Sequence, residues 1–255
     1  MVGGVMAYSP NKDLMLEYAA GNVSGYSTVN KFGRSTAITS GNTWEVWDGN
    51  AAYSFPATAL MTSISQTTDQ AAMRGATIEV QGLDANWAQV TQNATLDASD
   101  TTTVVTLSTA LIRCFRMKVL ANVVSTSTIR VHNAGETQDY AIIGTGNNQT
   151  LMAIYTVPAS KTAFVTNYYA TANPGGGAPT TFNVSLWGQD NANSYAPQLK
   201  HIQGVSADPD AYGRMQHHFA PYYKFTEKTD IILKGSPSGS SVDVSGGFDL
   251  ILVDN

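Results

Sequence analysis

Charge is what this sequence of 255 residues has least of: Asp, Glu, Lys and Arg together make up 13% of it, against a usual share of roughly 25%. Ser, Thr, Asn and Gly occupy the positions that Lys and Glu usually take, a composition suited to strand edges, tight turns and surfaces that lie against other protein. A net charge of −5 and the absence of any basic run exclude a nucleic-acid groove, which needs clustered Lys and Arg. The single cysteine, Cys114, excludes an intramolecular disulfide. Lying in the apolar run Leu111–Val119, it reads as a buried thiol. A chain of this size needs no staples, since a compact body of its mass buries roughly 70% of its unfolded surface. No apolar run approaches the ~18–20 residues of a membrane span. The opening MVGGVMAYSPNKD lacks the basic region and apolar core of a signal peptide. The expectation is a soluble protein from a reducing compartment, with neither nucleic acid nor membrane as partner. Its four Asn-X-Ser/Thr sequons, at Asn22, Asn93, Asn148 and Asn183, read as products of composition.

Residues that carry chemistry are equally sparse. Of four histidines, only His217 and His218 are adjacent, and neighbours in a strand or helix point to different sides. A metal site there would need His201 with Asp208 or Asp210 brought in by folding. Gly144-X-Gly146 lacks the third glycine and the following helix of a dinucleotide loop. Phosphate-loop, zincin, nucleophile-elbow and paired-cysteine motifs are missing. Asp97 with Asp100, and Asp208 with Asp210, have the spacing of calcium or glycosidase carboxylates, but in such turns they more often cap backbone amides. Tyr168-Tyr169, Trp187, Tyr195, Tyr212 and Tyr222-Tyr223 are candidates for a sugar-stacking platform or for packing. Lys200 and Arg214 beside them are too few for a polyanion site. The expectation is therefore a protein that is not an enzyme, with no catalytic residues, no cofactor and no metal.

What is present is β-structure. In Thr150–Thr166, two strand-like runs, Leu151–Val157 and Ala163–Thr166, flank a Pro-Ala-Ser-Lys turn, and Pro158 fixes Val157 as extended; the segment reads as a hairpin. Alternation predicts strands at Thr77–Gln81, Trp87–Leu96, Thr103–Leu107, Ile112–Leu120, Thr128–Val131 and Tyr140–Ile143. After a break at Gly144–Asn148, strands follow at Phe182–Trp187, Tyr222–Phe225, Ile231–Leu233, Val242–Val244 and Phe248–Val253. Helix is expected only at Pro10–Ala20 and Pro209–Gln216. The fold class is all-β: two antiparallel β-sandwich or jelly-roll-like domains, 56–146 and 147–255, preceded by an extended N-terminal arm over 1–55. Between Asn22 and Phe55 this arm has little pattern but six aromatics. Phe32, Trp44, Trp47, Tyr53 and Phe55 are candidate anchors on its own body or on a neighbouring subunit. A chain beginning near Pro56 is accordingly expected to fold but not to attach.

Four segments carry a resemblance: Asn30-Lys31-Phe32-Gly33-Arg34; Trp44–Gly49 with Tyr53-Ser54-Phe55-Pro56; Val80-Gln81-Gly82-Leu83-Asp84-Ala85-Asn86-Trp87; and Tyr155–Ala163. They resemble virion structural proteins of marine tailed bacteriophages, over about Asn30 to Asp254, with Ser160 where the family usually has Gly. The resemblance implies a virion component. The first expectation is a capsid-decorating (cement) protein bound between subunits of the major capsid protein as a homotrimer. A tail or head–tail connector subunit is the alternative, and a carbohydrate-binding receptor protein the third.

Overall fold

The computed structural model describes residues 13–174, 180–208 and 212–255, the side chain of Ala37 excepted. A short helix, α1 (Leu14–Ala19), precedes β1 (Tyr26–Ile38) and β2 (Trp44–Glu45). Seven strands follow: β3 (Met61–Gln66), β4 (Thr77–Leu83), β5 (Gln89–Thr95), β6 (Val105–Leu111), β7 (Arg113–Val119), β8 (Ile129–His132) and β9 (Asp139–Ile143). Seven more complete the chain: β10 (Ile154–Thr156), β11 (Lys161–Pro174), β12 (Thr180–Asp190), β13 (Gln198–Ala207), β14 (Gly213–Phe225), β15 (Thr229–Pro237) and β16 (Val242–Asp254).

The sheets reveal a jelly roll interrupted by a second sandwich. One sheet runs β1-β16-β11-β14; the facing sheet runs β10-β15-β12-β13, with β2 also paired to β15. Because β2 and β10 lie along the same neighbour, they act as two halves of one strand. Counted so, eight antiparallel strands fall into the orders 1-8-3-6 and 2-7-4-5, the two Greek keys of a jelly roll. Strands β3 to β9 are inserted into the break and form their own sandwich, β6-β3-β8-β9 over β5-β4-β7. The chain enters and leaves this insertion side by side. Asp48 N donates to Leu151 O at 2.9 Å and Ala153 N to Val46 O at 2.8 Å, with Trp47 bridged to Met152.

Alternation builds these strands where one face meets a core. In β4, Ile78 and Val80 point inward while Thr77, Glu79 and Gln81 are half-buried, and β5 returns against it in uninterrupted register. The two cores interlock. The jelly-roll core takes in Leu83, Ile112 and Phe115 of the insertion, and the insertion's core takes in Trp47, Met152, Ile154 and Ile232. A buried ion pair fastens the two units. Arg113 Nε and Nη2 each donate to Asp230 at 2.8 Å, while Nη1 donates to the carbonyl oxygens of Pro56 and Ile112. Asp230 also accepts from Thr156 at 2.5 Å and Asn191 at 2.8 Å. The guanidinium lies 5.0 Å from the Trp87 ring and 5.3 Å from the Phe55 ring.

Several expectations need correction. Residues 22–55 are not an arm: β1 pairs with β16 along its length, from Tyr26↔Val253 to Ile38↔Val242, and β2 supplies half of the second jelly-roll strand. The second domain is thus not 147–255 alone but also includes these N-terminal strands. The segment Thr150–Thr166 is not a hairpin. β10 pairs with β15 and β11 with β14 and β16, so the Pro158 turn carries the chain from one sheet to the other. Gly213–Gln216 is not helical but opens β14, while Pro209–Ala211 lie outside the described residues. The N-terminal helix is shorter than expected, capped by Asp13, whose side chain accepts from the Met15 and Leu16 amides; Ser9 and Pro10 lie outside the described residues.

Candidate functional site

The proposed anchor rings of 32–55 are spent inside the chain. Trp47 and Tyr53 are buried in the insertion's core, edge-to-face at 5.1 Å, and Tyr53 meets Phe55 at 4.6 Å. Glu45 fixes this turn by accepting the Tyr53 amide at 2.8 Å and pairing with Lys234 at 2.9 Å. Trp44 packs half-buried on the jelly-roll core, and Phe32 is half-buried. Among the described residues of the N-terminal region, the exposed apolar side chains are instead Tyr26 and, on α1, Leu14, Met15 and Leu16; α1 buries none of its residues.

Folding does bring His201 to His217. Their rings stack at 3.9 Å between β13 and β14, the edge strands of opposite sheets. Tyr168 Oη meets His201 Nδ1 at 2.5 Å, and Phe219 closes the cluster edge-on to His217 at 4.7 Å. Burial, then the neighbouring His217, lowers the pKa of His201. His218 is exposed and lies outside the stack. No group of three metal-ligating side chains forms among the described residues; Asp210 lies outside them. The stack therefore reads as an aromatic contact joining the two sheet edges.

The remaining candidates separate. Asp97 accepts the amides of Ser99 and Asp100 at 2.7 and 3.0 Å, and Asp100 accepts the amide of Thr102 at 2.9 Å, so both carboxylates cap turns. Tyr195 and Tyr223 line one cleft beside Lys200, and Tyr168, Trp187 and Tyr222 take no part in it. Tyr168 is core, Trp187 packs on the insertion's core beneath Lys234, and Tyr195, Tyr212 and Tyr222 stand exposed. One pair missed in the sequence, Ser65 and His132, has the geometry of a nucleophile and base at 3.0 Å. Both are fully buried, and His132 Nδ1 meets the Asn133 carbonyl oxygen at 2.8 Å. With no access for a substrate, this pair is a satisfied core contact.

Where β1 crosses the insertion, a different arrangement appears. Lys31 is only 3% exposed, and its ammonium donates to the Phe115 carbonyl oxygen beside the Phe115 ring. Burial first, then the Arg116 guanidinium, lowers its pKa from 10.5 to about 7. Gly33, two residues on, permits this crossing. A Cβ there would lie 2.3 Å from Val46 O and 2.5 Å from Ala153 N. Nothing in the sequence marked Lys31, because its neighbours come from β7 and β10. Comparison with protein-family models, curated proteins and solved structures returns no match to the chain.

Proposed function

We propose that the chain is a non-catalytic structural protein of a tailed-phage virion, acting as a capsid-decorating protein that binds between major capsid subunits as a homotrimer. The virion assignment rests on the resemblance of the four sequence segments. The observation that carries the structural role is the build of the molecule: a jelly roll, an architecture shared by viral capsid domains and lectins, holding a second sandwich rigidly through Arg113 and Asp230. Supporting it, the candidate catalytic groups are dispersed or sealed in cores, and α1 displays Leu14, Met15 and Leu16 as exposed side chains among the described residues. A structural protein needs such rigidity and such attachment points more than it needs a cleft.

The test is to quantify this protein against the major capsid protein in purified virions and to titrate it onto capsids that lack it. A decoration protein occurs at many copies per particle and saturates the capsid surface. A low, symmetry-fixed copy number would replace this reading with a tail or connector role, and absence from virions would end it.

A further inference from the structure

Between β1 and the inserted sandwich lies a cleft of about 270 Å³. Among its lining residues are Lys31, Arg116, Gln81, Gln89, Phe115 and Tyr155. Two of its groups are poorly provided for by the protein itself. Tyr155 is 1% exposed, and its hydroxyl has the Gln89 side chain beside it but no hydrogen bond of good geometry, an unfavourable state for a buried hydroxyl. Lys31 has three donors and directs one at the Phe115 carbonyl oxygen. The lining contains two cations and no carboxylate. Glu79, the acidic group that senses Arg116, is engaged by Lys118 at 3.0 Å and Gln81 at 2.7 Å.

We propose that this cleft binds an acidic sugar, a single pyranose bearing a carboxylate. Lys31 and Arg116 would take the carboxylate, a charge-assisted contact that compensates a buried ammonium. The Tyr155 hydroxyl and the Gln89 amide suit sugar hydroxyls. The volume lies just under the about 300–1,000 Å³ of sites for drug-sized ligands, which limits the occupant to one ring. Its position where two folded units meet is a usual one for ligand sites. The inference stands apart from the virion reading, since a decoration protein and a receptor protein could each carry such a cleft.

The experiment is an amide-resolved NMR titration of the full chain with sodium galacturonate, with galactose and sodium acetate as controls. Saturable shifts at millimolar galacturonate should appear at residues 28–32, 89 and 115–116, with galactose and acetate each much weaker. Arg116→Gln, at the cleft mouth, should weaken galacturonate by about tenfold or more, and Tyr155→Phe should weaken it while leaving acetate unchanged. Lys31→Met, if its spectrum remains that of the folded chain, should abolish binding. Absent shifts, shifts elsewhere, galactose binding as well as galacturonate, or an unchanged affinity in Arg116→Gln would each overturn the proposal. Acetate alone reproducing the full effect would do the same.

Discussion

Lys31 makes stability depend on pH in a defined direction. In the folded chain its pKa falls from 10.5 to about 7, so between these values the unfolded chain binds more protons than the folded one. Stability therefore rises with pH through that window, by up to about 1.4 kcal/mol per pH unit. Below about pH 7 both states hold the proton, and the full cost of the buried charge is felt. Cys114 works the other way: burial pushes its thiol from 9.0 up to about 12, so above about pH 9 the unfolded chain loses a proton that the folded one keeps. The clean window is about pH 7 to 9. Urea unfolding across it should give a rising midpoint in the native chain and a flat one in Lys31→Met. A native midpoint that is flat or falls with pH would show that Lys31 keeps its ordinary pKa.

At the scale of elements, two truncations should part company. Removal of residues 1–21 takes away α1, whose described residues are all unburied and whose Tyr18 stacks on Tyr26 at 4.6 Å; a lost aromatic pair of this kind costs about 0.5–1.5 kcal/mol. Such a chain should keep the cooperative melt of the full one at a slightly lower midpoint but attach to particles more weakly. A chain starting at Pro56, by contrast, loses β1, β2 and the buried ring of Trp47, and a lost core tryptophan alone costs about 3–5 kcal/mol. By circular dichroism it should lose the melting transition of the jelly roll, keeping at most that of the insertion, contrary to what the sequence led us to expect. A jelly-roll transition that survives in that shorter chain would mean that the N-terminal strands are not integral to the jelly roll.

The same elements show what the sequence could disclose. β4 and β5 were readable because Ile78 and Val80 alternate with polar residues and the turn between them is local. β1 was hidden because its inward side chains include Lys31, Gly33 and Ser35, which give no apolar period. The Pro158 turn was visible as a turn, but its strands pair with distant partners, such as Ala163 with Phe225 and Leu252; no local pattern distinguishes a hairpin from a corner between sheets. β14 went unread beyond Tyr222–Phe225 partly because Pro221 interrupts it, which an edge strand tolerates. Lys31 could be read as a residue but not as part of a cleft, since Phe115 and Tyr155 reach it only through the fold.

For the molecule as a whole, Arg113 and Asp230 decide whether two sandwiches behave as one. Truncating one partner of a buried pair leaves an uncompensated charge and costs about 3–5 kcal/mol. Arg113→Met strips Asp230 of its cation while Thr156 and Asn191 remain. The native chain should unfold in a single transition. Arg113→Met should lower the midpoint strongly and separate the loss of the insertion from the loss of the jelly roll. Calorimetry giving one unshifted transition for the variant would show that the interlocked cores, not the ion pair, hold the units together.

The pairing of Tyr26 with Val253 also sets an order of events on the ribosome. The first of the described strands has the last as its sheet neighbour, so the jelly roll cannot close until Val253 has emerged. The inserted sandwich has all its strands once Ile143 has emerged, well before that, and domains generally fold as units during synthesis. Throughout that interval β1 waits as an unpaired strand, the kind of segment that invites association with other chains. Lys31, Gly33 and Ser35 make it a poor template for such association, so the polar inward face that conceals the strand in the sequence protects the nascent chain until its partner arrives.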